Sequence, residues 1–150
     1  MTIRPMEEKD LEQVYQIEQE SFAQPWTYQD FEQAIDNTNS LYLKLYLVAE
    51  EEGEIIGYCG LWGIAGEGQI NNVAVKKKYR GKHVGNQMLH ELIQLGLNKN
   101  LTAFTLEVRV SNQSAIKLYH NLKFEDVGIR KNFYDYPKED AIIMWLKYEV

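Results

Sequence analysis

Cysteine occurs once, and histidine and proline three times each, in these 150 residues. A lone cysteine excludes an internal disulfide framework and suits a reducing compartment. Histidine is too sparse for a metal centre: His90 and His120 read as helix-surface residues without a second ligand at suitable spacing, so no metal site is expected. No apolar run approaches the ~20 residues that cross a bilayer, and nothing at the N-terminus resembles a signal segment. A soluble, cytoplasmic protein without membrane association is the expectation. Positive charge is also short. Lys and Arg number 16 against 22 Asp and Glu, a net charge of −6. That balance argues against direct nucleic-acid binding and favours a cationic partner such as an amine or a basic peptide.

What is present is core material. Hydrophobic residues make up 45% and aromatics 12%, enough for one compact domain over residues 1–150. Linkers, repeats and low-complexity stretches are absent. Thr2–Pro5 reads as an edge strand, and residues 7–20 as a helix with Leu11, Val14, Tyr15 and Ile17 on one face. Thr27 and Asp30 form a capping box before a short helix bearing Phe31, Ala34 and Ile35. A three-strand meander follows, over 41–49, 55–62 and 69–75, with turns at 51–54 and 63–68. Cys59 falls in its middle strand as core. The helix after Gly81 carries Val84, Met88, Leu89, Leu92, Ile93 and Leu95. Residues 103–110 alternate, with Phe104, Leu106, Val108 and Val110 opposite Thr105, Glu107 and Arg109. A short helix over 112–121 and strands over 124–133 and 141–148 complete an α/β chain with a mixed sheet.

The positive charge that exists is concentrated. Lys76, Lys77, Lys78, Arg80 and Lys82 crowd the turn between the third meander strand and the next helix. Gly81 and Gly85 punctuate that turn and let backbone approach a ligand without a Cβ in the way. Outward-pointing amides in a helix's first turn, with the helix dipole behind them, make an anion cradle. A dinucleotide fingerprint needs Gly-x-Gly-x-x-Gly in a βαβ unit, and the spacing here differs. A nucleoside-triphosphate loop needs Gly-Lys-Ser/Thr, which is absent. An anion site and a plain basic surface turn both remain open on this segment alone.

Two motifs carry a resemblance. Arg80 and Gly85 match the ends of Gln/Arg-x-x-Gly-x-Gly/Ala, with His83 where the middle glycine belongs. Asn112, Ala115 and Tyr119 match Asn-x-x-Ala-x-x-x-Tyr in full. At this separation the chain resembles, over almost its whole length, the GNAT acetyltransferase superfamily. Within it, three stretches resemble the ribosomal-protein-alanine N-acetyltransferases: Gln24-Pro25-Trp26-Thr27 with Phe31, Leu106-Glu107-Val108-Arg109 with Ser111-Asn112, and Asn132-Phe133-Tyr134 with Glu139–Met144.

The resemblance implies a single domain with a mostly antiparallel mixed sheet whose fourth and fifth strands splay apart, flanked by helices. It implies acetyl-CoA as co-substrate, its pyrophosphate on Arg80, Gly81, Lys82, His83, Val84, Gly85 and Asn86, with Asn112 as a further contact. The backbone of Val73, Ala74 and Val75 would bond the pantetheine arm. Glu107 corresponds to the general base and Tyr119 to the acid that protonates the departing thiolate. Loops bearing Trp26, Tyr134 and Tyr136 would flank the mouth for the acceptor, the N-terminus of a small-subunit ribosomal protein starting with alanine. The bland alternative for Glu107 is an ion pair with Arg109. Rival functions are the same fold acting on a small-molecule amine or lysine side chain, and a non-catalytic acyl-CoA-binding module.

Overall fold

A computed structural model describes residues 1–38 and 41–148. In chain order the elements are β1 (Thr2–Pro5), α1 (Leu11–Ser21), α2 (Tyr28–Ile35), β2 (Leu43–Glu51), β3 (Glu54–Ile64), β4 (Glu67–Val75), α3 (Val84–Asn98), β5 (Ala103–Arg109), α4 (Gln113–Asn121), β6 (Glu125–Asp135) and β7 (Lys138–Lys147). The expected α/β order holds throughout. The predicted capping box is present: Thr27 Oγ1 accepts from the Asp30 amide at 3.1 Å, and Asp30 Oδ2 from the Thr27 amide at 2.9 Å.

Two predicted turns are too wide. The Gly63–Gly68 segment closes in only two residues, Ala65 and Gly66, at φ +52° and +83°. Two consecutive positive φ values match the twist of a tight hairpin. Gly63 and Gly68 lie inside strands, where a Cβ would come to 3.0 and 3.1 Å from Leu101. Close packing, not turning, is what requires glycine there. Likewise β6 and β7 run on to a two-residue turn at Tyr136-Pro137, pairing Tyr134 with Glu139 and Asp135 with Lys138. Tyr134 is thus a strand residue, not a loop residue.

One seven-stranded sheet results, in the order β1-β2-β3-β4-β5-β7-β6. Every pairing is antiparallel except β4 with β5. Strand alternation sends Cys59, Leu61, Phe104, Leu106 and Val108 toward α3 and α4. Tyr46, Val48, Tyr58 and Ala74 point the other way, against Leu11, Val14 and Ile17 of α1 and Phe31 of α2. Both faces are covered, which is why the strands of the meander read as near-continuous apolar runs.

Gly60 pairs with Tyr46 across the β2–β3 ladder, and a Cβ there would lie 2.1 Å from the tyrosine ring. Gly60→Ala therefore destabilises the fold by about 2 kcal/mol or more, because Tyr46 is buried and its hydroxyl is anchored on Asn72. Thermal melts will register this as a fall of roughly 4–8 °C.

Candidate active site

The site is built on a defect in the sheet. β4 and β5 pair only at Glu67–Gln69 with Ala103–Thr105. Beyond that they part, so 70–75 has no β5 partner and 106–109 no β4 partner. Parting leaves the inner backbone edges of both strands unpaired, a cleft that an extended ligand can enter as a strand would. Val73, Ala74 and Val75 lie along this open stretch. The predicted splay is present.

Glu107 stands beside the split, two residues past the last β5 residue paired with β4. Its side chain is largely shielded, 16% exposed. Gln69, on β4, donates Nε2–H to Glu107 Oε2 at 2.8 Å and so spans the point of separation. Arg130 Nε stands 3.8 Å from the other oxygen. The alternative ion pair with Arg109 is absent: that guanidinium turns to Glu139 at 3.1 Å.

Tyr119 comes from α4 and is buried, its ring 5.9 Å from Phe124. Burial first, with Tyr134 and Cys59 adding to it, raises its phenol well above the ordinary value. Among the described residues its hydroxyl has no hydrogen-bond partner. Tyr134 lies half-buried between these groups, its own phenol raised by burial and by the charge of Glu107. Cys59 is fully buried, and burial raises its thiol too. A thiol kept neutral and dry is a poor nucleophile.

At the end of β4 the basic turn leads into α3. His83 adopts φ +65°, ψ +15°, the left-handed region that glycine occupies most easily and histidine tolerates better than bulky residues. No side chain caps α3, so the first-turn amides of Val84, Gly85 and Asn86 lack a protein cap. Gly81, at φ +78°, has open space where a Cβ would stand, so its glycine serves conformation. At Gly85 a Cβ would lie 3.3 Å from Leu118. The glycine lets α3 approach α4. The cations also differ in availability. Lys76 is tied to Glu54 at 2.6 Å, with Lys78 3.8 Å from the same carboxylate, and Arg80 donates Nε–H to the Val75 carbonyl at 2.9 Å. Lys77 and Lys82 are exposed. Asn112 Oδ1 caps α4 by accepting from the Ala115 amide at 3.2 Å.

Known proteins agree with this geometry. The model of the Acetyltransferase (GNAT) family matches residues 11–124. The chain belongs to the GNAT acetyltransferase family. An Escherichia coli protein named ribosomal protein bS18-alanine N-acetyltransferase is 34% identical over 97% of this chain and 96% of its own length. A Bacillus subtilis protein provisionally given that name is 39% identical over 96% and 93%. The crystal structure of the ribosomal-protein-S18-alanine N-acetyltransferase from Escherichia coli superposes with a TM-score of 0.85 at 32% identity, covering 99% of this chain and 94% of that one.

This acetyltransferase also contains a polar cluster that sequence reading did not single out. Glu18 is buried in α1, where it accepts the Trp26 amide at 2.9 Å and the Tyr58 hydroxyl. Tyr46 donates its hydroxyl to Asn72 Oδ1 at 3.1 Å on the same face. The one sequence signal was Glu18 itself, a charge beside Ile17 on an apolar stripe. Trp26, expected at the acceptor mouth, is half-buried, its ring 5.2 Å from Phe31 and 6.2 Å from Tyr46. Tyr136 is 68% exposed at the hairpin tip. Among the described residues no cluster suits a metal ion, and no helix is long and apolar enough to cross a membrane.

Burial raises the Glu18 carboxyl above the ordinary glutamate value. A raised acid binds its proton more tightly folded than unfolded, so stability falls as pH climbs from the ordinary carboxylate range through the raised value. Glu18→Gln can still accept from Trp26 but removes the titration. Its melting temperature gains on the parent as pH rises above the ordinary carboxylate range. Parallel melting curves would mean that Glu18 titrates alike in both states.

Proposed function

We propose that this acetyltransferase, one domain over residues 1–150, moves the acetyl group of acetyl-CoA to the N-terminal α-amine of a small-subunit ribosomal protein that begins with alanine, in the cytoplasm. The observation that carries the reading is the β4–β5 split with Glu107 beside it. The names of the relatives supply the acceptor class, and fold alone would not choose it.

The residues present suit the co-substrate. Val73, Ala74 and Val75, paired with β3 on one side, would hold the pantetheine arm through the backbone groups they turn to the open, β5-facing edge. The uncapped start of α3, with Arg80, Gly81, Lys82, His83, Val84, Gly85 and Asn86, would hold the pyrophosphate. The side-chain amide of Asn112, beyond its capping oxygen, adds a donor. Bound there, acetyl-CoA supplies an activated acyl group as a thioester.

Glu107 takes a proton from the acceptor ammonium, through a water, so that the neutral amine can attack. The task is small for this substrate. An α-amine of pKa ~8 is about one-tenth neutral at pH 7, whereas a lysine at ~10.4 is neutral in ~1 of 2,500 molecules. That difference of about 3 kcal/mol is one a lone carboxylate need not cover. As the C–N bond forms and the C–S bond breaks, Tyr119 gives its proton to the departing sulfur, the nitrogen sheds its surplus proton to the water beside Glu107, and exchange with solvent restores the phenol and the carboxylate. A backbone N–H on the open β4 edge steadies the oxygen charge. Transfer is direct, since Cys59 is buried and protonated. Trp26, Tyr134 and Tyr136 form the acceptor wall.

A peptide panel tests the reading. Short peptides differing in the first residue are incubated with acetyl-CoA and read by mass shift and N-terminal blocking. Peptides starting with alanine should react fastest. Reaction of lysine side chains or small amines instead would move the acceptor to that class, and no thioester turnover at all would leave a binding module.

A further inference from the structure

Arg109 ends β5 on the same face as Glu107, and its guanidinium is committed four ways. Nη1 donates to the Pro137 carbonyl at 2.8 Å and to Glu139 Oε1 at 3.1 Å. Nη2 donates to the Tyr136 carbonyl at 2.9 Å. The guanidinium carbon lies 4.1 Å from the centre of the Tyr134 ring. Glu139 passes the connection on: its Oε2 accepts the Ser111 amide at 2.7 Å. Ser111 directly precedes Asn112, the cap of the helix that carries Tyr119.

One ionic node therefore joins three walls. These are β5 beside Glu107, the β6–β7 turn with Tyr134 and Tyr136, and the entry to α4. The node is shielded, with Arg109 24% and Glu139 15% exposed. Ser111, with Arg109 beside it, holds the Glu139 carboxyl below the ordinary range, so the pair stays charged at neutral pH. Only a planar fork can serve two successive carbonyls, a carboxylate and a ring face at once. Without it the hairpin tip has few holds, since Tyr136 projects into solvent.

We propose that Arg109 and Glu139 are positioning residues that set Tyr134 and the hairpin tip against Glu107 and Tyr119, and so fix where the acceptor amine sits. The proposal rests on the acetyl-transfer reading above. Arg109→Met, Arg109→Lys and Glu139→Gln are assayed for acceptor KM, kcat, acetyl-CoA affinity and melting temperature. Loss of register of this kind raises acceptor KM about tenfold or more in Arg109→Met and lowers kcat with it. In Arg109→Met acetyl-CoA affinity stays within about twofold of the parent, because the open β4 edge and the α3 start are untouched and Glu139 still accepts the Ser111 amide ahead of Asn112. Lysine does not rescue. The double variant that combines Arg109→Met with Glu139→Gln is no worse than Arg109→Met alone, as expected of partners in one node. An active parent with unchanged acceptor KM in Arg109→Met, or a parallel fall in acetyl-CoA affinity, overturns the proposal alone. A parent inert toward every amine overturns the acetyl-transfer reading and this proposal together.

Discussion

Glu107→Gln lowers kcat/KM for an alanine-starting peptide by about 10²–10⁴-fold at pH 7, the range a positioned general base contributes. Glutamine keeps the shape and can still accept the 2.8 Å hydrogen bond from Gln69, so folding and acetyl-CoA affinity hold. Only proton acceptance is lost. The pH dependence identifies the role. Near pH 9 an α-amine of pKa ~8 is already mostly neutral, and the defect shrinks as the base becomes unnecessary. Rates are measured from about pH 6.5 to 9 on both proteins. An equal loss at both ends would assign Glu107 to acceptor binding instead.

Tyr119→Phe is expected to reduce kcat by about 10²-fold, at the low end for acid catalysis because a phenol is a weaker acid than a thiol. Acetyl-CoA affinity and melting temperature stay close to those of the parent. The physical reason lies in the hydroxyl itself. Burial raises it and keeps it protonated, yet it has no hydrogen bond among the described residues. That hydroxyl is not sealed from solvent, since among the described residues Trp62 Nε1 alone is a sealed side-chain atom without a partner, so its removal breaks no hydrogen bond and leaves the packing against Phe124 in place. Single-turnover assays with isothermal titration of acetyl-CoA separate the two effects. Unchanged turnover would remove Tyr119 from the mechanism.

Much of this was legible along the chain because it is local. The alternation of 103–109 placed Glu107 on the face opposite Phe104 and Leu106, and the structure keeps that division. Thr27 and Asp30 announced α2. The turn at 51–54 was read correctly because Gly53 is there for its positive φ. The turn at 63–68 was not, because Gly63 and Gly68 are there for space against Leu101. One letter serves both purposes, and only packing tells them apart. Gly85 repeats the lesson, since the space left by its missing Cβ lies against Leu118 of α4.

The partners of charged groups were the least legible. Arg109 is two residues from Glu107 and 30 from Glu139, and it pairs with the distant one. Glu18 meets Tyr58 across 40 residues. Which carboxylate a cation chooses depends on sheet order and register, which bring β7 beside β5 and α1 onto β3.

The sequence by itself determined the elements, their order, the two motifs and hence the family, because periodicity, caps and short motifs are properties of neighbours in the chain. Only the tertiary structure decided that β4 and β5 part after three paired residues, that Gln69 reaches Glu107 across the parting, and that Arg109 belongs to the hairpin. Those facts are set by long-range strand pairing and by the burial that selects one partner for each polar group.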